Sequence, residues 1–113
     1  MKDFLLLFRN DYSAVPKSSP EEMQAIMKLW MDWIGGIAAQ NKLADTGNAL
    51  KGEGKVLKPG NVITDGPYME TKELVGGYTI VKAESLAEAA ELAKGCPILT
   101  FGGNVEIREI NPM

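Results

Sequence analysis

The sequence predicts an α+β fold of the ferredoxin-like type, a split βαβ plait whose antiparallel sheet carries two helices on one face. Capping patterns at Ser19 and Ser85 each open a stretch with helical apolar spacing, and strand-like apolar runs precede and follow both stretches. The resulting order is β-α-β-hairpin-β-α-β, in which two crossovers return to one sheet. A chain of 113 residues is long enough for one core, so we expect residues 1–113 to form a single domain.

The first part of the chain supplies a strand and a long helix. Residues 4–8 form a continuous apolar run, which is typical of a strand buried on both faces. Ser19 is a good N-cap, Pro20 suits the first helical position, and Glu22 completes a capping box. Apolar residues then follow at intervals of three and four: Met23, Ile26, Met27, Trp30, Trp33, Ile34, Ile37 and Ala38. We expect the interrupting Gly35-Gly36 pair to let another backbone come close.

The remaining elements follow from shorter patterns. They are a strand over 43–50, a hairpin over 56–63 around a turn at 58–61, a strand over 74–82, a helix from Ser85 to Gly95, and a last strand over 105–110. Gly76-Gly77 lies inside the strand over 74–82 and predicts a close approach there, of a packed helix more than of a ligand.

One face of the predicted sheet has no cover. Both helices lie on the other face, and the strands over 4–8 and 74–82 are too apolar to leave in water. A homodimer with sheet face against sheet face is the simplest arrangement, and we expect the fold to dimerise through the sheet.

The charge and the apolar runs narrow the class of protein. The net charge of −3 argues against nonspecific nucleic-acid binding, which requires a basic face. No apolar run approaches the about 20 residues of a membrane span, and the run after Lys2 is too short for a signal peptide. We therefore expect a cytoplasmic protein that binds neither nucleic acid nor membrane.

The chain has no histidine and one cysteine, Cys96. The lack of histidine excludes Ser-His-Asp and Cys-His catalysis. With only one cysteine as well, the chain lacks the ligands of a structural zinc site. No calcium-loop pattern or phosphate-binding glycine loop is present, so we expect no metal and no cofactor. Between glycine and proline, Cys96 is typical of a buried packing residue.

The run 64–78 contains the leading candidate site. Asp65 ends an apolar strand and precedes Gly66-Pro67, a rigid turn that would hold its carboxylate in place. Its functional interpretation is a catalytic acid or base, or a polar anchor for a small ligand. Its structural interpretation is a turn cap that accepts backbone N–H bonds.

Further residues are candidates for binding a ligand beside Asp65. Gly66 and Pro67 would shape the turn, and Tyr68 would stack on a planar ligand or simply pack at the rim. Lys72 would pair with Asp65 or with a ligand carboxylate, or lie in a solvated charged run. Arg9, at the end of the first strand, would face the same cleft or remain solvated.

The central motif carries a resemblance to a known family. Asp65-Gly66-Pro67-Tyr68, then the charged residues over 70–73, then Gly76-Gly77-Tyr78, is similar to the signature of the YCII-related family in its DGPF-motif subgroup. The opening residues 1–7, the helix start at 19–22, Cys96-Pro97 and the run 102–108 fall in the family's order, so the resemblance covers nearly the whole chain.

The resemblance implies a dimeric α/β-barrel assembly and two possible functions. Some members resemble lyases or dehydrochlorinases that act on small aromatic compounds through a His–Asp pair. This chain has the aspartate motif but no histidine, so that pair does not carry over. Proton-transfer or lyase-type chemistry without a cofactor is one implied function. The other is a noncatalytic binding or regulatory module, because members of the subgroup also resemble partners of extracytoplasmic-function sigma factors.

Overall fold

The structure, a computed structural model, describes residues 1–10, 19–66 and 74–112 and confirms the α+β fold. The elements in chain order are β1 (Lys2–Asn10), α1 (Pro20–Ala39), β2 (Leu43–Ala49), β3 (Gly54–Lys58), β4 (Val62–Gly66), β5 (Leu74–Ala83), α2 (Leu86–Ala93), a 3-10 helix (Pro97–Phe101) and β6 (Asn104–Glu109). Each predicted helix and strand is present, and the 3-10 helix is an element that the sequence patterns did not predict.

Four strands form an antiparallel sheet in the order β2-β5-β1-β6. This is the ferredoxin-like order, in which each helix connects two parallel strands that have another strand between them. β1 lies inside the sheet, where Leu6 is opposite Thr79 of β5 and Ile107 of β6. β3 and β4 form a separate two-stranded sheet. We call residues 54–66, which contain both of these strands, the arm.

The core lies on one side of the four-stranded sheet. Along β1, Phe4, Leu6 and Phe8 are buried, whereas Leu5 and Leu7 between them are only half-buried. The expectation that this strand is buried on both faces is therefore wrong for the single chain. The physical reason is that the core takes its helical residues from α1 and α2 on one face: Ile37, Ala89 and Ala93.

An aromatic cluster holds α1 on the sheet. The rings of Trp30 and Trp33 meet Phe8 of β1 edge to face, with centroids 5.0 and 5.9 Å away. The Trp33 indole N–H also donates to the carbonyl oxygen of Leu92 in α2, at 3.0 Å. A Cβ at Gly95 would lie 3.1 Å from the Trp33 ring, so glycine leaves the space that this ring requires. The cluster thereby joins both helices to one sheet face.

Two expectations about glycine pairs are wrong. A Cβ added at Gly35 or Gly36 would meet no described atom within 4 Å, because both glycines lie on the exposed side of α1. The close approach at Gly77 is real, but a strand makes it: an added Cβ would lie 2.9 Å from the carbonyl oxygen of Asn48 in β2. Glycine therefore serves the pairing of β2 with β5 rather than the packing of a helix.

The molecule is a thin plate. Its extents are 44 × 43 × 18 Å, and its radius of gyration of 15.6 Å exceeds the about 13 Å of a compact chain of similar length. One sheet with one layer of helices accounts for the thin dimension. Among the described residues, no helix is long and apolar enough to cross a membrane.

The predicted cap of α1 is present and can be tested. The Ser19 hydroxyl accepts the Glu22 N–H at 3.2 Å and donates to the Glu22 carboxylate at 3.1 Å. Ser19→Ala should lower the free energy of unfolding by about 1 kcal/mol, because that N–H loses its partner. Ser19→Asn, which retains a capping oxygen, is the control. Urea denaturation that gives equal midpoints for the wild type and both variants would contradict this role for the cap.

A cross-element ion pair joins the end of α1 to the start of α2. Lys42 Nζ lies 2.9 Å from Glu88 Oε1, and both side chains are largely covered. The hydrogen bond from Lys42 lowers the pKa of Glu88 from its usual value, and the charge of the ammonium adds to the effect. A carboxyl group with a lowered pKa stabilises the fold above its unfolded pKa, and the stabilisation is lost as the pH falls through its folded pKa.

Glu88→Gln should therefore lower the melting temperature at neutral pH. The difference from the wild type should disappear as the pH falls well below about 4.3, the ordinary value for glutamate, because both proteins then carry a neutral group there. Glu91→Gln on the same helix is the control, since its pair with Lys94 is exposed and should contribute little at any pH. A difference that persists unchanged in acid would contradict the ion-pair explanation.

Candidate functional site

Asp65 lies at the open end of the arm's hairpin, away from its turn, and is exposed to solvent. On β4 it is directly opposite Lys55 of β3, and Lys55 Nζ lies 3.2 Å from Asp65 Oδ1. The Asp65 side chain is 97% exposed and the Lys55 side chain is 69% exposed. The carboxylate therefore has a salt-bridge partner but almost no cover from the described residues. A pair this exposed contributes at most about 1 kcal/mol to stability.

The pair borders a shallow depression of about 560 Å³ that is open to solvent. The described residues that line it are Gly52, Glu53, Gly54, Lys55, Asp65, Gly66 and Leu74. The lining offers a cation, two carboxylates and glycine backbone. The described part of the lining comes from the arm, residues 52–53 and the first residue of β5.

Gly66 has a structural role in the arm. A Cβ there would lie 2.9 Å from Val56 Cγ2 and 3.1 Å from the carbonyl carbon of Lys55. Glycine thus allows β3 and β4 to remain close next to Asp65. This is a steric requirement, and it places Gly66 backbone beside the depression without a side chain in the way.

Arg9 lies at a different position from the one expected for a partner of Asp65. Its Nε donates to Glu106 Oε1 at 3.1 Å, across the neighbouring strands β1 and β6. Arg9 is not among the described residues that line the depression. The structure therefore pairs Arg9 with Glu106 and Asp65 with Lys55, as two separate charge pairs.

Three predicted site residues, Pro67, Tyr68 and Lys72, lie outside the described residues. Lys55 is a contact that the sequence analysis missed. The observed register pairs Lys58 with Val62, so the turn is one residue shorter than the predicted turn at 58–61, and Lys55 lies opposite Asp65 rather than Thr64. The charged run over 70–73 favoured Lys72 as the partner of Asp65 instead.

The described residues offer no metal site and no reactive thiol. No three carboxylate or cysteine side chains converge there on a point that would hold a metal ion. Burial raises the pKa of the Cys96 thiol to about 11, so the group is neutral near pH 7 and packs in the core. Asp65 and Lys55 are therefore the polar pair on which we centre the candidate site.

A second candidate surface is the sheet face opposite the helices. Leu7 has Tyr78 opposite it on β5, and Leu5 has Ile80 opposite it, so four half-buried side chains form one patch. The Tyr78 hydroxyl accepts a hydrogen bond from the Asn48 side chain at 3.3 Å. We call Leu5, Leu7, Tyr78 and Ile80 the open-face patch.

Comparisons with known proteins bear on the whole chain. The family model of the YCII-related domain matches residues 4–113, which include every helix of the structure and nearly all of β1. A search of curated proteins gave no significant match. The match therefore concerns the complete fold, including the arm and the open-face patch, and brings no assigned reaction with it.

Proposed function

The chain belongs to the YCII-related family, and from this premise we propose that it is a homodimer that binds a small polar molecule beside Asp65. The observation that carries the proposal is the Lys55–Asp65 pair at the edge of the depression on the arm. Both groups are accessible to a molecule in solution. Asp65 and Gly66, the first two residues of the DGPF-like motif, both line the depression.

The charges suggest which ligands suit the site. Lys55 would hold a negatively charged group, and Asp65 would accept a hydrogen bond from a hydroxyl or amino group next to it. Glu53 at the rim would disfavour ligands that carry two negative charges. A small carboxylic acid with a hydroxyl or amino substituent meets these requirements.

Binding is favoured over proton-transfer or lyase-type catalysis in the single chain. Catalytic carboxyl groups are usually withdrawn from water, which tunes their protonation and strengthens their interactions with the reacting atoms. Asp65 stands in solvent, and the chain has no histidine to act as a general base. A catalytic role for Asp65 would require a cover over the depression.

A regulatory role with a protein partner is the second candidate. Met23, Met27 and Met31 recur at every fourth residue of α1, and all three are exposed. Flexible methionine side chains suit surfaces that bind other proteins. The partner would be of the class that the family resemblance suggests, an extracytoplasmic-function sigma factor, and would bind α1 rather than the arm.

Dimerisation rests on the open-face patch. Four half-buried apolar side chains on a flat sheet are typical of a surface that a second copy covers, and a two-fold contact uses the same patch on both protomers.

Light scattering should give twice the chain mass of 12.3 kDa at micromolar concentration. Leu7→Glu should give folded monomers, because it adds a charge at the patch opposite Glu106. Leu99→Glu, at an exposed leucine of the 3-10 helix, is the control. A wild type of single-chain mass would contradict the dimer.

Asp65→Asn tests the ligand site. Because the side chain is exposed, the free energy of unfolding should change by less than about 1 kcal/mol. NMR titration with small hydroxy- and amino-acids should give a dissociation constant at least tenfold higher than that of the wild type, about 1.4 kcal/mol of binding free energy. The control is Asp32→Asn, which removes an ion pair with Lys28 on α1 that is also exposed.

Two outcomes would contradict the site. One is an Asp65→Asn variant that binds as tightly as the wild type. The other is a variant that loses stability but not binding, which would make Asp65 a scaffold residue. A wild type that binds no member of the ligand panel would favour the regulatory candidate.

A further inference from the structure

The outer edge of β6 is regular enough to accept a further strand. β6 is the last strand of the four-stranded sheet, and no described strand pairs with its far side. It pairs with β1 over residues 104–109 without a register shift. At the opposite edge, the register of β2 against β5 shifts between Leu43 and Asp45 and again between Asp45 and Asn48. Such irregularities hinder even pairing with another strand, so β6 is the edge that can be extended.

Alternate residues of β6 direct their backbone groups away from β1. The Ile110 N–H donates to the Asp3 carbonyl oxygen at 2.9 Å, one position beyond the β1–β6 ladder. In an antiparallel ladder, residues that bond to the neighbouring strand alternate with residues that do not. Positions 106 and 108 therefore bond to β1, whereas the N–H and C=O groups of Val105, Ile107 and Glu109 point outward.

Two opposite charges flank the middle of this edge. Ile107 packs against the core, so Glu106 and Arg108 on either side of it lie on the opposite sheet face. Glu106 binds Arg9 through one of its two carboxylate oxygens. Arg108 is exposed and forms no ion pair with any described residue. Charged side chains often prevent edge strands from pairing, but these two have opposite signs and lie two positions apart. The strand is therefore complementary to its own reversed copy.

We propose that the β6 edge pairs with the β6 edge of a second copy, antiparallel and centred on Ile107, so that two four-stranded sheets become one continuous sheet. The inference goes beyond the proposed function and uses no residue of the open-face patch or of the depression. A two-fold axis at Ile107 places the outward groups of this residue opposite those of its counterpart. It also places the outward groups of Val105 opposite those of Glu109.

Hydrogen bonding and charge select the same register. A centre at position 106 or 108 would put residues that already bond to β1 at the axis. A centre at 105 or 109 would offer outward groups but would separate Glu106 from Arg108. Only the centre at Ile107 satisfies both, since Glu106 of one copy then lies opposite Arg108 of the other. That pair has no hydrogen bonds between its own backbone groups, which is the arrangement that brings side chains closest.

The contact is small and differs from the proposed sheet-face dimer. Five residues per copy are at the small, weak end of protein interfaces, so we expect pairing at the near-millimolar concentrations of NMR samples. The sheet-face dimer, which we expect already at micromolar concentration, covers side chains of the open-face patch. It does not bond to the outward amides of β6, so amide exchange distinguishes the two contacts.

The experiment measures amide hydrogen exchange by NMR in concentrated and dilute samples of the wild type. The amides of Val105, Ile107 and Glu109 should exchange at least twofold more slowly in the concentrated sample, because half or more of the chains are then paired. The amides of Glu106 and Arg108 are the internal control, since β1 protects them at both concentrations.

A charge reversal tests the register. Arg108→Glu puts a second glutamate opposite Glu106, so the outward amides should exchange at the same rate at both concentrations. The variant removes no described ion pair, so the single chain keeps its contacts. Lys58→Glu is the matched control, because it changes the net charge equally at an exposed position on the arm and should retain the concentration dependence.

Three results would overturn the pairing. The first is exchange of the outward amides that does not depend on concentration in the wild type, and this result counts even if Arg108→Glu fails to fold. The second is slowing confined to residues other than 105, 107 and 109, which would place the contact away from this edge. The third is slowing that persists in Arg108→Glu, which would contradict the register centred on Ile107. The sheet-face dimer is unaffected by any of them.

Discussion

The edge-to-face contact of Phe8 with Trp30 and Trp33 is the interaction on which the rest of the structure depends. It fixes α1 over β1, and the hydrogen bond from Trp33 to the Leu92 carbonyl fixes α2 on the same side. Aromatic pairs of this kind add about 0.5–1.5 kcal/mol beyond the area that they bury. With both helices on one face, the opposite face has no helical cover from the described chain. Leu7 and its neighbours are half-exposed for this reason.

The arm lacks cover for a different reason. Its strands satisfy each other's backbone groups, but an apolar side chain such as Leu57 needs a second layer that the thin plate does not provide. Within the described residues, apolar side chains on the sheet and on the arm thus lack a layer against them.

The elements were predictable because their signals are local. Ser19 and Ser85 cap their helices as expected, and the turn at 58–61 produces the predicted hairpin. Errors arose where a residue's neighbour is distant in sequence. Nothing local states that Gly77 faces β2. The exposure of Asp65 was equally hidden, because it depends on how the arm stands relative to the sheet.

The exposure of Asp65 determines how strongly the candidate site can interact with a charged group. In water the Lys55–Asp65 pair is screened, and its attraction is offset by the cost of ordering two mobile side chains. A cover that excludes water lowers the effective dielectric constant and strengthens the field that the pair exerts on a ligand. No change in Asp65 itself is required. Under the proposed function, a cover over the depression would decide whether this carboxylate anchors a ligand or moves a proton. Because the chain has no histidine, that cover would matter more here than at a site with an imidazole already poised near neutral pH.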